Sequence, residues 1–236
     1  MNPLPDQPAE NLHPDLAPYV VESGVLGQFL KHPLVFGPML MPALYGIYNG
    51  LYAKRRQQLA EAERTGEWSR AVFLHERPYR LQALLDRRPD MDDAAVFWSL
   101  VAEVYRESEN VYQCRDQWLD LLAEALPHRH LLMASEEREA LAALPQRVTV
   151  YRGSRTREDH DDLGFSWTTS QEKARWYALR FPAEWPQAYV MRAEVERDAI
   201  IAFFEGGDGE LIVMPDNVKL IKTVMVNAGQ QHDRES

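Results

Sequence analysis

Apolar positions change their period near Pro145: before it they recur at helical spacing, and after it they come in short alternating runs. The strongest helical stretch opens at Asp92 and Asp93, whose charges suit a helix N-terminus. Phe97, Leu100, Val101, Val104 and Tyr105 then mark one buried face. Val111, Cys114, Trp118, Leu121, Leu122 and Ala125 carry a second such set toward Pro127, which predicts a helical hairpin or one bent helix. Helices are also predicted over 43–63 with Gly66 as the stop, over 67–85 with Arg87, Arg88 and Pro89 behind it, and over 136–144. Residues 16–30 read as a short helix interrupted at Gly24.

From Arg147 onward, strands are predicted at 148–151, 164–168, 188–195, 199–203, 211–213 and 218–224. One helix follows the second of them. Thr169 with Glu172 forms a capping box at its start, and Ala174, Tyr177, Ala178 and Phe181 supply its apolar face. Strands after a run of helices predict an α+β chain. The expected layout is an N-terminal arm with a short helix (1–30), a helical module (31–145), a β-rich core (146–226) and a polar tail (227–236).

Length and composition allow one large domain or two small ones: 236 residues, 45% hydrophobic, are ample for a packed core. A formal net charge of -10 argues against a general nucleic-acid coat, since phosphate neutralisation needs a surplus of Lys and Arg. The acidity is uneven. Twelve cations face fifteen anions from Arg147 onward, against fourteen and twenty-one before it, so the β-rich part is the less hostile to an anionic ligand. A single cysteine, Cys114, points to a reducing, cytoplasmic setting, and it reads as a core residue on a helical face. No charged side chain occurs over 33–53, and Lys54, Arg55 and Arg56 follow, as at the flank of a membrane span. Gly37, Pro38, Pro42, Gly46 and Gly50 break that stretch, which fits a buried loop and helix better, and no membrane partner is expected.

The chemistry gathers in the last third. Successive strands offer Arg152 followed by Gly153, the hydroxyl run Ser166, Trp167, Thr168, Thr169 and Ser170, and the turn Asp208, Gly209, Glu210. A guanidinium forks onto phosphate oxygens. A hydroxyl positions a ribose or a carboxylate, and a carboxylate steadies the positive charge of an oxocarbenium-like centre, as in glycosidases. Gly153 would let the backbone approach a ligand amide closely. Together these are the parts needed to hold a dinucleotide and break its N-glycosidic bond.

In that order the residues resemble the Arg-Ser-Glu class of mono-ADP-ribosyltransferases, the clostridial-toxin-like branch. The resemblance covers roughly the last 80 residues, a small-domain length, and implies a mixed β-sandwich core. It implies NAD as co-substrate, bound by Arg152, Gly153, Ser166, Thr168 and Glu210, with Glu210, Asp208, Arg152 and Ser166 carrying catalysis and no metal. Either Ser166 or Thr168 can be the first hydroxyl of the family's triplet; Ser166 is favoured because Phe165 and Trp167 then bury opposite it. Asp208 is one methylene shorter than the family's Glu or Gln at that position, which leaves a nucleobase, Asp/Glu, Ser/Thr or water open as acceptor. The partners implied are NAD, a macromolecular acceptor that is protein or nucleic acid and, for a toxin, a neutralising antitoxin protein.

Each residue also has a plainer reading. Arg152 can be a surface salt-bridge partner, Thr169 a helix cap and Glu210 an edge residue. The run Glu158, Asp159, His160, Asp161 and Asp162 lacks calcium-loop spacing and reads as a solvated loop. Trp176, Phe181 and Trp185 can stack on nicotinamide, although core packing is the default for such rings. Three other functions compete with transfer: an NAD glycohydrolase using water, a noncatalytic interaction protein, and a metal-dependent phosphodiesterase on the acidic loop. An Arg152, Arg155, Arg157 and Arg175 groove would suit single-stranded nucleic acid.

Overall fold

The structure, a computed structural model, describes residues 10–24, 27–108, 111–159, 162–181, 187–204 and 209–227. It is a mixed α+β chain with two antiparallel sheets, and it divides into two compact units, residues 1–110 and 111–236.

In the first unit, β1 (Val20–Ser23), β2 (Gly27–His32) and β3 (Val35–Gly37) pair in chain order. The helix expected over 16–30 is thereby corrected. A 3-10 turn at Ala17–Tyr19 passes at once into extended chain, so the segment expected as an arm and short helix carries β1 and most of β2, and β3 opens the module expected to be helical. The reason lies in β2, where Leu30 and His32 face inward and Lys31 outward, a period of two too short to register as a strand pattern. Leu16, Leu30, Leu34, Val35 and Leu40 form a core with Tyr48 and Tyr52 of α1 (Tyr45–Thr65). That helix stops at Gly66, whose left-handed backbone (φ 70°) sends its N–H back to the carbonyls of Ala62 and Glu63. Among the described residues no helix is long and apolar enough to cross a membrane.

The single helix expected over 67–85 is two, α2 (Trp68–Phe73) and α3 (Arg80–Arg87). Pro78 lies in the 3-10 turn between them, where it offers no N–H to continue a helix. The helix α4 (Ala94–Arg106) is capped as its sequence predicts: the Asp93 carboxylate accepts from the Ala95 N–H at 2.8 Å. Phe97, Leu100, Val101, Val104 and Tyr105 are all buried.

The second unit begins with α5 (Arg115–Ala123), α6 (Arg129–Leu132) and α7 (Ser135–Ala143). These helices belong with the strands rather than with the helices before them, so the division lies 35 residues ahead of the one expected at 145–146. The ties are specific. The Arg129 guanidinium donates to the Asp198 carbonyl at 3.1 Å, that of Arg197 to the Ala142 and Leu144 carbonyls at 3.0 Å each, and the Phe203 N–H to the Met133 sulfur at 3.2 Å. Cys114, expected in the core, is half-buried.

Six strands follow: β4 (Arg147–Ser154), β5 (Ser166–Thr168), β6 (Gln187–Glu196), β7 (Ile200–Phe204), β8 (Glu210–Val213) and β9 (Lys219–Asn227). They join in the order β7-β8-β5-β4-β6-β9, antiparallel throughout. The pairing is uneven. β4 and β6 pair from Arg147 through Ser154, whereas β5 meets β4 through the single pair Tyr151 and Thr168. The sheet is therefore two antiparallel triplets joined at a narrow seam. Helix α8 (Gln171–Ala178) lies against β4 and β6, with Ala174 and Ala178 buried among Ala188, Val190, Val226 and Tyr151.

Candidate active site

The candidate residues converge on the seam. Arg152 follows the buried Val148 and Val150 on one face of β4, and its fork is closed on both tines. Nε donates to Glu158 Oε2 at 2.9 Å and Nη2 to Oε1 at 3.1 Å, a bidentate pair, while Nη1 donates to the Ser166 carbonyl at 3.0 Å. Glu158 also accepts the Gly164 N–H at 3.0 Å. The guanidinium lies so close to Gly164 that a Cβ there would overlap it, so only glycine admits this arrangement. Burial pushes the Glu158 carboxyl up, yet the Arg152 charge, with hydrogen bonds from Arg152, Ser154 and Gly164, outweighs that and holds it below the usual carboxylate range. The pair is ionised at neutral pH and well enclosed, with 21% of the Arg152 side chain and 9% of the Glu158 side chain exposed.

Ser166 donates its hydroxyl hydrogen to Glu210 Oε1 across the β5–β8 pairing. Thr168 stands opposite Glu210 and Ser166 opposite Ile212, so the bond runs diagonally over one face of the sheet. Phe165 and Trp167 are buried, the Trp167 indole N–H donating to the Gly164 carbonyl at 3.0 Å, and alternation turns Ser166 to the opposite side. Ser166 and Glu210 are both half-buried and remain reachable. Thr168 is buried, and its hydroxyl accepts the Ser170 N–H at 3.1 Å, shaping the turn into α8.

Two local expectations are corrected. The cap of α8 is Ser170, not Thr169: its hydroxyl accepts the Lys173 N–H at 3.2 Å, because the helix begins one residue later than the Thr169–Glu172 box would have it. Gly153 is tight for a different reason from the one expected. A Cβ there would collide with the backbone of α8 at the Ala174 carbonyl and at the Ala178 nitrogen, so its bareness seats the helix on β4.

Asp208, Trp185, His160 and Asp161 lie outside the described residues. Gly209, with a left-handed φ of 56°, leads into β8. Of the acidic run, Glu158 is committed to Arg152, while Asp159 and Asp162 are exposed, and among the described residues no group of three or more His, Cys, Asp or Glu is placed to hold a metal. Trp176 and Phe181 are exposed rather than in the core. Arg155 and Arg157 are exposed, and the Arg175 guanidinium reaches the Asn227 carbonyl at 3.5 Å.

Glu158 is the residue that the sequence did not offer. It stands six positions after Arg152 inside a run of like charge, and nothing in its spacing separates it from Asp159 or Asp162. Only the return of the chain from β4 to β5 turns it back onto the guanidinium.

Compared with family models, with curated proteins and with solved structures, the chain matches none.

Proposed function

We propose that the second unit is a mono-ADP-ribosyltransferase that cleaves NAD at the bond between nicotinamide and ribose and passes ADP-ribose to a macromolecule. One observation carries this reading: Arg152, Ser166 and Glu210, 14 and 44 positions apart along the chain, form one hydrogen-bonded sequence across the seam. The Arg-Ser-Glu resemblance implies these three residues in one site, and their contact is what supports the reading. The two strand triplets with α8 are read as the transferase core.

Each residue has a task. Glu210, oriented by Ser166, is the carboxylate that would accept a hydrogen bond from a ribose hydroxyl and stand beside the positive charge that grows at C1′. The C1′–N bond breaks with its electron pair leaving on nicotinamide. An oxygen or nitrogen of the acceptor then closes on C1′ and gives up its proton. Arg152 presents a fork already shaped around an oxyanion, the Glu158 carboxylate, which is the geometry that a phosphate of NAD requires. No step calls on a metal.

The test is nicotinamide release from NAD, with and without cell lysate, by wild type and Glu210→Gln. A loss of about 100-fold or more in the variant, at unchanged thermal midpoint, is the expected result. Release without transfer of labelled ADP-ribose would make the protein a glycohydrolase. Absence of release in every mixture would leave a noncatalytic interaction protein.

A further inference from the structure

The acceptor is the open part of that reading, and the outer face of α8, with the residues just past its end, bears on it. Trp176, Tyr177 and Phe181 are 58%, 39% and 43% exposed, although Ala174 and Ala178 alone supply the buried side of the helix. The core therefore does not use these rings. Guanidinium groups are laid over two of them: Arg155 is 4.9 Å from the Phe181 ring centre, and Arg180 is 5.5 Å from that of Trp176 and 5.4 Å from that of Phe181. From Gln171 to Phe181 the sequence holds Lys173, Arg175 and Arg180 against one carboxylate, Glu172, and Arg155 and Arg157 stand just before Asp159 and Glu158, the latter closed on Arg152. On a chain of net charge -10 this is a local island of cations interleaved with flat rings.

We propose that this island binds single-stranded nucleic acid and that a nucleic acid is the acceptor of ADP-ribose, the second part resting on the transferase reading above. The pattern matches what a single strand offers. Its phosphates pair with guanidinium groups, and its unpaired bases stack on aromatic faces whatever their sequence. A duplex hides those faces in its own stack. An acidic protein segment would use the arginines and leave the rings in water. Arg155, which lies over the Phe181 ring, stands three residues after Arg152 and just past the end of β4, so the island shares the chain segment that leaves the candidate site. In the transfer, the C1′–N bond gives its pair to nicotinamide, a lone pair on a base nitrogen or a hydroxyl oxygen of the strand closes on C1′, and the proton of that nucleophile passes to solvent.

Fluorescence anisotropy on the full chain without NAD tests the surface. The probes are a labelled RNA of about 12 nucleotides, DNA of the same sequence, its duplex, and polyglutamate. The RNA or the DNA strand should bind more tightly than the duplex, with affinity falling as salt rises. Trp176→Ala and Arg180→Ala should each weaken binding about tenfold or more, with helix content by circular dichroism unchanged. Affinity weaker than about 100 µM for both single strands, a preference for duplex, or binding of polyglutamate alone would overturn the proposal. With labelled NAD, Arg180→Ala should lose label on the nucleic acid yet keep nicotinamide release. Glu210→Gln should bind the strand as wild type does and transfer nothing. Binding with no transfer and no nicotinamide release by wild type counts against the transferase, whereas release without binding counts against this surface.

Discussion

Both sheets of this chain are antiparallel, yet they gather different things. β1, β2 and β3 pair only with their neighbours in sequence, so the first sheet folds up short stretches and closes a core of Leu16, Leu30, Val35, Tyr48 and Tyr52. In the six-stranded sheet, β8 with β5, β4 with β6 and β6 with β9 are all pairings of strands that do not follow one another. Such pairings close long loops and cost chain entropy. They also set residues far apart in sequence side by side, which a meander cannot do: Arg152, Ser166 and Glu210 touch only because β5 is held between β4 and β8. The polar groups of the first sheet illustrate the contrast. His32 is buried, but its Nδ1 accepts the N–H of Leu34 two residues on, and the bond serves the turn.

The sharpest way to break this difference is Gly153→Ala. The added methyl has backbone on its far side rather than a movable side chain, so the expected cost is about 3 kcal/mol or more, at the upper end of overpacking. Denaturant unfolding should show the transition of the second unit shifted or lost and that of the first unit in place. A milder probe of the first unit is Tyr48→Phe, which removes the hydroxyl that donates to the Met39 carbonyl at 2.7 Å. About 1 kcal/mol should go from the first unit's stability, with the proposed nicotinamide release untouched.

Acid should separate the units by a smaller effect. Burial lowers the pKa of His32 against the opposing charge of Asp15, and burial together with Arg87 lowers that of His75. A histidine whose folded pKa is depressed takes up its proton more readily when unfolded. The first unit is therefore stabilised above about pH 6.5 and loses that stability as pH falls through the window below it. Glu158 has the depressed pKa of a paired carboxylate, so its contribution to the second unit is present above the unfolded value of about 4.3 and is lost only as pH falls below it. Between roughly pH 6 and pH 5 the first unit should weaken and the second should not, as separate unfolding transitions would report. Equal weakening of both would mean that the two histidines do not set the acid limit.

Much of this was legible along the chain. The helical period of Phe97 to Tyr105 and the strand runs after Arg147 report burial of one face, and the Asp93 cap and the Gly66 stop report how a helix end satisfies its backbone, all local properties that sequence records directly. The same alternation turned Ser166 away from Phe165 and Trp167. The first sheet escaped because its strands are short and β2 has only Leu30 and His32 pointing inward, too few for a period to show.

What the sequence determined by itself is which residue types stand at which phase of each element: an arginine at the end of one strand, hydroxyls on a second, a carboxylate opening a third. Tertiary structure decided their partners. That Arg152 closes on Glu158 rather than on Asp159 or Asp162, that Ser166 meets Glu210, and that Gly153 answers to a helix all depend on strand order and on how α8 crosses β4. Periodicity records only how a segment divides core from solvent, whereas a partner is fixed by pairings between segments whose separation along the chain carries no signal of their nearness in space.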